Sequence, residues 1–82
     1  MRVSFENIPA LRFRAIRARI RAQADEMRSS GNAGSATSNG VTVEWNYDEA
    51  AESLVFTCTK RPWWISELMA ASRIRDLVEA VE

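Results

Sequence analysis

From Val41 to Tyr47 apolar and polar residues alternate without a break. Val41, Val43, Trp45 and Tyr47 fall on one side, with Thr42, Glu44 and Asn46 on the other. That period of two is the signature of a strand with one wet face. "SLVFTCT" repeats the pattern, setting Leu54, Phe56 and Cys58 against Val55, Thr57 and Thr59. The short polar stretch between the two runs predicts an antiparallel hairpin with its loop near residues 48–52. At the N-terminus "RVSFE" alternates through Val3 and Phe5 and offers a third strand.

The period then changes. Phe13, Ile16, Ile20, Ala24 and Met27 recur at helical spacing, which predicts a helix from about Pro9 to Arg28 with that stripe as its core face. Asn7 is the expected cap and Pro9 an early helical residue, because a missing N–H costs nothing in the first turn. A second helix, ending in "DLVEAV", begins between Ser66 and Ser72 and presents Ala70, Ala71, Ile74, Leu77, Val78 and Val81 on one side. Leu68 and Met69 fall off that stripe. Between helix and hairpin, "SSGNAGSATSNG" holds all three glycines and no apolar side chain larger than alanine. With little to bury, residues 29–40 are expected to be a flexible connector.

These elements predict one α+β domain over residues 1–82: a small antiparallel sheet of two or three strands with both helices on its apolar face. The expected core is Phe13, Ile16, Ile20, Val43, Trp45, Leu54, Phe56, Ile74, Leu77 and Val81. A sheet that narrow barely covers two helices and has two open edges, so a homo-oligomer is expected, formed by edge pairing or through the small-residue back of the first helix (Leu11, Ala15, Ala18, Ala22).

Composition narrows the chemistry. The 82 residues hold no histidine and one cysteine, which leaves no thiolate metal cage and no histidine-based triad. Cys58, in an alternating apolar run, reads as a small buried hydrophobe. Asp48, Glu49 and Glu52 cluster in a turn but lack the alternating oxygen ligands and glycine bend of a calcium loop. The glycines of 29–40 follow a helix and include no lysine, unlike a phosphate-binding loop. No catalytic residues, metal or cofactor are therefore expected. No apolar run reaches the length of a membrane span, and the first residues lack a secretory leader's apolar stretch, so a cytoplasmic protein is expected.

Net charge is zero but unevenly spread. Residues 1–28 hold seven arginines against three acids, residues 29–59 hold four acids and no base, and the remainder balances. Arg14, Arg17, Arg21 and Arg28 would line one flank of a helix reaching residue 28, a candidate polyanion site for nucleic acid or acidic protein. The same spacing suits side chains that cover a core's edge with their alkyl stems. "KRPWWIS" supplies the other candidate: Trp63 and Trp64, with Ile65, Leu68 and Met69, as a partner-binding surface. Pro62 ends the strand, and strand parity carried past it would aim Trp64 inward and Trp63 outward, unless Pro62 resets the parity. The leading expectation is a non-enzymatic, self-associating protein-interaction module. Polyanion binding, or peripheral attachment to a membrane or hydrophobic granule through the basic helix and the tryptophans, are the alternatives.

Overall fold

The computed structural model describes residues 1–80. It is an α+β fold in the order β1 (Arg2–Phe5), α1 (Ala10–Gln23), β2 (Glu26–Ser30), β3 (Ala33–Ser38), β4 (Val41–Asp48), β5 (Ser53–Lys60) and α2 (Glu67–Glu79). The five strands form one antiparallel sheet, β1-β5-β4-β3-β2. The β4–β5 hairpin lies where the alternation places it, and its inward residues Trp45, Tyr47, Leu54 and Phe56 are buried. Near its open end the ladder slips between Thr42 and Val43, leaving Thr59 as an extra residue on β5. β1 joins β5 as the third strand, Val3 opposite Phe56.

Residues 29–40 are not a connector. They complete β2, turn at Gly31 and Asn32, form β3 and turn again at Asn39 and Gly40. Gly31 (φ 60°), Asn39 (φ 52°) and Gly40 (φ 83°) occupy the left-handed conformations that two-residue hairpin turns require. The small side chains between them have a steric purpose. Gly34 lies opposite Trp45, and a Cβ there would collide with the indole. Absence of a side chain on β3 thus lets Trp45 lie across it at 3% exposure.

β2 is built at the expense of α1. The helix stops at Gln23, with Ala24 already extended at its end (φ −78°, ψ 142°). The Asp25 N–H donates to the Thr37 carbonyl at 2.8 Å, and an Asp25 carboxylate oxygen accepts the Asn39 N–H at 3.1 Å. Pairing with β3 overrides the helical preference of "ADEMR". Met27 still meets the core, but from a strand, while Arg28 leaves the helix altogether. At the other end Pro9, not Asn7, is the cap position, and Asn7 turns the chain in a left-handed conformation (φ 59°).

Both helices contribute to a single core with the sheet. Phe13 stacks on Tyr47 with ring centroids 4.3 Å apart, and the buried Tyr47 hydroxyl donates to the Ile8 carbonyl at 2.6 Å. Burial pushes the Tyr47 phenol above its ordinary value, with Glu52, Glu49 and Asp48 adding to the shift, so the group stays neutral and donating through the neutral range. Of the expected core, Phe13, Ile16, Ile20, Trp45, Leu54, Phe56 and Ile74 are buried. Val43 and Leu77 are only half-buried against it, and Val81 lies outside the described residues. Ile8, Ala36, Tyr47, Ile65, Ala70 and Val78 complete the set.

Gly34→Ala is expected to lower stability by about 1–3 kcal/mol through overpacking against Trp45 and the Arg28 carbonyl, measured by chemical denaturation. Gly31→Ala, with open space around the added carbon, carries no such collision and meets only the penalty of its left-handed backbone.

Candidate interaction surface

Beyond Lys60 the chain cannot continue the ladder, because Pro62 has no N–H to give. It folds into a tight turn in which the Ile65 N–H donates to the Pro62 carbonyl at 3.1 Å. Residues inside a turn do not alternate, so strand parity does not carry through the tryptophan pair. Ile65 enters the protein interior with no exposure, whereas Trp63 is 92% and Trp64 57% exposed. The expectation that Trp64 points inward is therefore corrected, and so is the placing of Ile65 on the partner surface.

The turn is fixed from both sides. One Arg61 guanidinium nitrogen donates to the Ile65 carbonyl at 2.7 Å, and another lies 3.7 Å from Glu67, the one ion pair among the described residues. Ser66 begins α2 by accepting the Met69 N–H at 3.2 Å, and Glu67 places negative charge in the first turn of the helix. Leu68 and Met69 then stand at 81% and 47% exposure. Their displacement from the apolar stripe of α2 follows from this: they begin the helix on the side away from the core. Single exposed apolar residues are ordinary, but four large ones within seven positions, on a braced corner, form a patch.

The patch adjoins a groove. Pro62 rests against the β3–β4 turn, where a Cβ on Gly40 would meet it at 3.1 Å. Asn39 of that turn and Val41, the first residue of β4, line a hollow of about 360 Å³ between the helices, floored by Ile20, Ala24, Val43 and Ile74. Arg73 and Asp76 line it from α2, one and two turns beyond Met69 on the same flank of the helix.

The arginines divide differently from the sequence expectation. Arg28 is on β2 and does not extend the row Arg14, Arg17, Arg21. Arg17 lies over the Phe13 ring, 5.5 Å from its centroid, and donates to the Gly31 carbonyl at 3.0 Å, so it both covers the core edge and holds the β2–β3 turn. Arg14 and Arg21 remain exposed on the same flank. Arg12, on the opposite flank, donates to the Val78 carbonyl at 3.4 Å and ties α1 to α2. Cys58 is half-buried, with its thiol 3.6 Å from the Lys60 carbonyl. Among the described residues no three His, Cys, Asp or Glu side chains converge to hold a metal ion, and no helix is long and apolar enough to cross a membrane.

Comparison with known proteins adds nothing to these residues: no family model, no curated protein and no solved structure matches the chain.

The two roles within "WWI" separate by mutation. Ile65→Ala is expected to cost about 2–5 kcal/mol as a buried large-to-small change, whereas Trp63→Ala should stay within about 0.5 kcal/mol. Urea denaturation of the two variants measures both.

Proposed function

We propose that this chain is a non-enzymatic protein-interaction module that docks another protein, or a second copy of itself, through the β5–α2 corner. The observation that carries the reading is the outward presentation of Trp63, Trp64, Leu68 and Met69 on a turn braced by buried Ile65, the Arg61 hydrogen bond and the Ser66 cap. A braced backbone has less conformational freedom to lose when a partner covers the side chains it presents. Complete burial of one such side chain contributes about 1.5–3 kcal/mol, and exposed tryptophans are frequent centres of binding energy.

Attachment to a membrane or hydrophobic granule draws on the same side chains and on the neighbouring Lys60 and Arg61. The bonding of Arg61 favours the protein reading. Its guanidinium is committed to Ile65 and Glu67, and of the two cations preceding the indoles in sequence only Lys60 has no such bond among the described residues.

The reading predicts concentration-dependent self-association in sedimentation, or saturable binding of one protein partner. Either should be lost in a Trp63→Ser, Leu68→Ser double variant whose circular dichroism and melting temperature match the parent. Identical behaviour of parent and variant in both assays would contradict it. Flotation of the parent alone with anionic vesicles would transfer the surface to the membrane reading.

A further inference from the structure

β2 closes the sheet with one side of its backbone unpaired. Where β3 meets β4, the Tyr47 N–H donates to the Asn32 carbonyl at 2.8 Å. Alternation along an antiparallel ladder then directs the backbone groups of Gly34 and Ala36 toward β4, and those of Ala33, Ser35 and Thr37 toward β2. Two contacts agree with this assignment. The Thr37 carbonyl accepts from Asp25, and the Thr37 and Thr42 hydroxyls meet at 2.9 Å, the close side-chain approach of a pair that exchanges no backbone bonds. Ala33, Ser35 and Thr37 face Ser30, Arg28 and Glu26. The N–H and C=O groups of Met27 and Ser29 therefore point away from the sheet, and among the described residues no strand lies beyond them.

The charge around this edge is specific. Arg12 reaches α2, and Arg19 lines the groove between the helices, so that flank of α1 faces α2. Arg17 reaches the β2–β3 turn, so the flank it shares with Arg14 and Arg21 is the β2 side of α1. Neither Arg14 nor Arg21 forms an ion pair among the described residues. On the sheet face away from the helices, β2 carries Arg28 and one acid, Glu26. The nearby Asp25 carboxylate accepts the Asn39 N–H.

We propose that the β2 edge takes an extended acidic segment of a partner protein as a sixth strand. The outward groups of Met27 and Ser29 bond its backbone, and Arg14 and Arg21 receive its carboxylates on the α1 side. Strand addition of this kind draws affinity from main-chain hydrogen bonds and selectivity from side chains on either face. A second copy fits the same edge poorly, because pairing β2 with β2 brings two arginine flanks toward each other across the junction. A nucleic acid would satisfy the arginines but offers no regular ladder to Met27 and Ser29. The site is separate from the β5–α2 corner and does not rest on its function.

The test uses the full chain and three capped octapeptides: alternating Glu and Thr, alternating Lys and Thr, and the Glu-Thr sequence with every backbone amide N-methylated. A single-stranded DNA octamer is the fourth ligand. The acidic peptide is expected to bind, to shift the Met27 and Ser29 amide resonances, and to weaken as salt rises. Arg14→Glu with Arg21→Glu should reduce its affinity at least about tenfold, a change of about 1.4 kcal/mol. Ser29→Pro, which removes an N–H that β3 does not use, should abolish the binding while leaving the circular dichroism unchanged. Should Ser29→Pro fail to fold, the N-methylated peptide decides the same point, since it keeps the charge and loses the ladder. Equal binding of the lysine peptide, undiminished binding of the N-methylated peptide, preference for DNA, or no binding of the acidic peptide would overturn the proposal.

Discussion

Trp45 can be buried only where the residue across from it has no side chain. The indole lies over Gly34, and its N–H finds no acceptor among the described residues, so shape rather than a protein hydrogen bond fixes its place. An unpaired buried donor costs about 1–3 kcal/mol, which the burial of so large a ring offsets. Everything on the β2 side of the sheet follows from this fit. β3 must pass directly beside β4, β2 must pair with β3, and α1 must end early enough for the chain to return. The floor on which α1 rests, with Ala36 buried and Met27 half-buried, is complete only when this hairpin is in place.

The same constraint explains what the sequence reveals and what it conceals. The β4–β5 hairpin is legible because each of its strands separates apolar from polar faces, and the core stripe of α1 is legible through Phe13, Ile16 and Ile20. The β2–β3 hairpin is hidden because the core-facing residues of β3, Gly34 and Ala36, are small and β2 adds only Met27 to them. They are selected for closeness to Trp45 and α1 rather than for their own apolar area, so no alternation announces them. One local signal does exist. Asn39–Gly40, immediately before the alternating run of β4, is a strong marker of a two-residue hairpin turn, and it implies a partner strand upstream. Taken with Gly31–Asn32, it divides the Ser/Gly stretch into turn, strand and turn.

At the β5–α2 corner, Trp63, Trp64, Leu68 and Met69 were identifiable from residue type, whereas the role of Ile65 was not. Parity arguments apply to a continuous strand, and the bond from Ile65 to the Pro62 carbonyl converts the segment into a turn before the tryptophans are reached. The arginine row failed at its end for a related reason. Helical phase joins Arg28 to Arg14, Arg17 and Arg21 only if the helix persists, and the pairing of Asp25 with Thr37 and Asn39 ends it. In both places a hydrogen bond between residues distant in sequence, or the loss of one at proline, resets the local pattern.

Amide hydrogen exchange, resolved by residue, tests the central claim that residues 26–38 are two native strands built around Trp45. The account predicts alternation along β2, with Arg28 and Ser30 protected by β3 and Met27 and Ser29 exchanging freely. From Gly34 to Thr37 every amide should be slowed. Fast exchange throughout residues 29–40, as in a flexible connector, would contradict it.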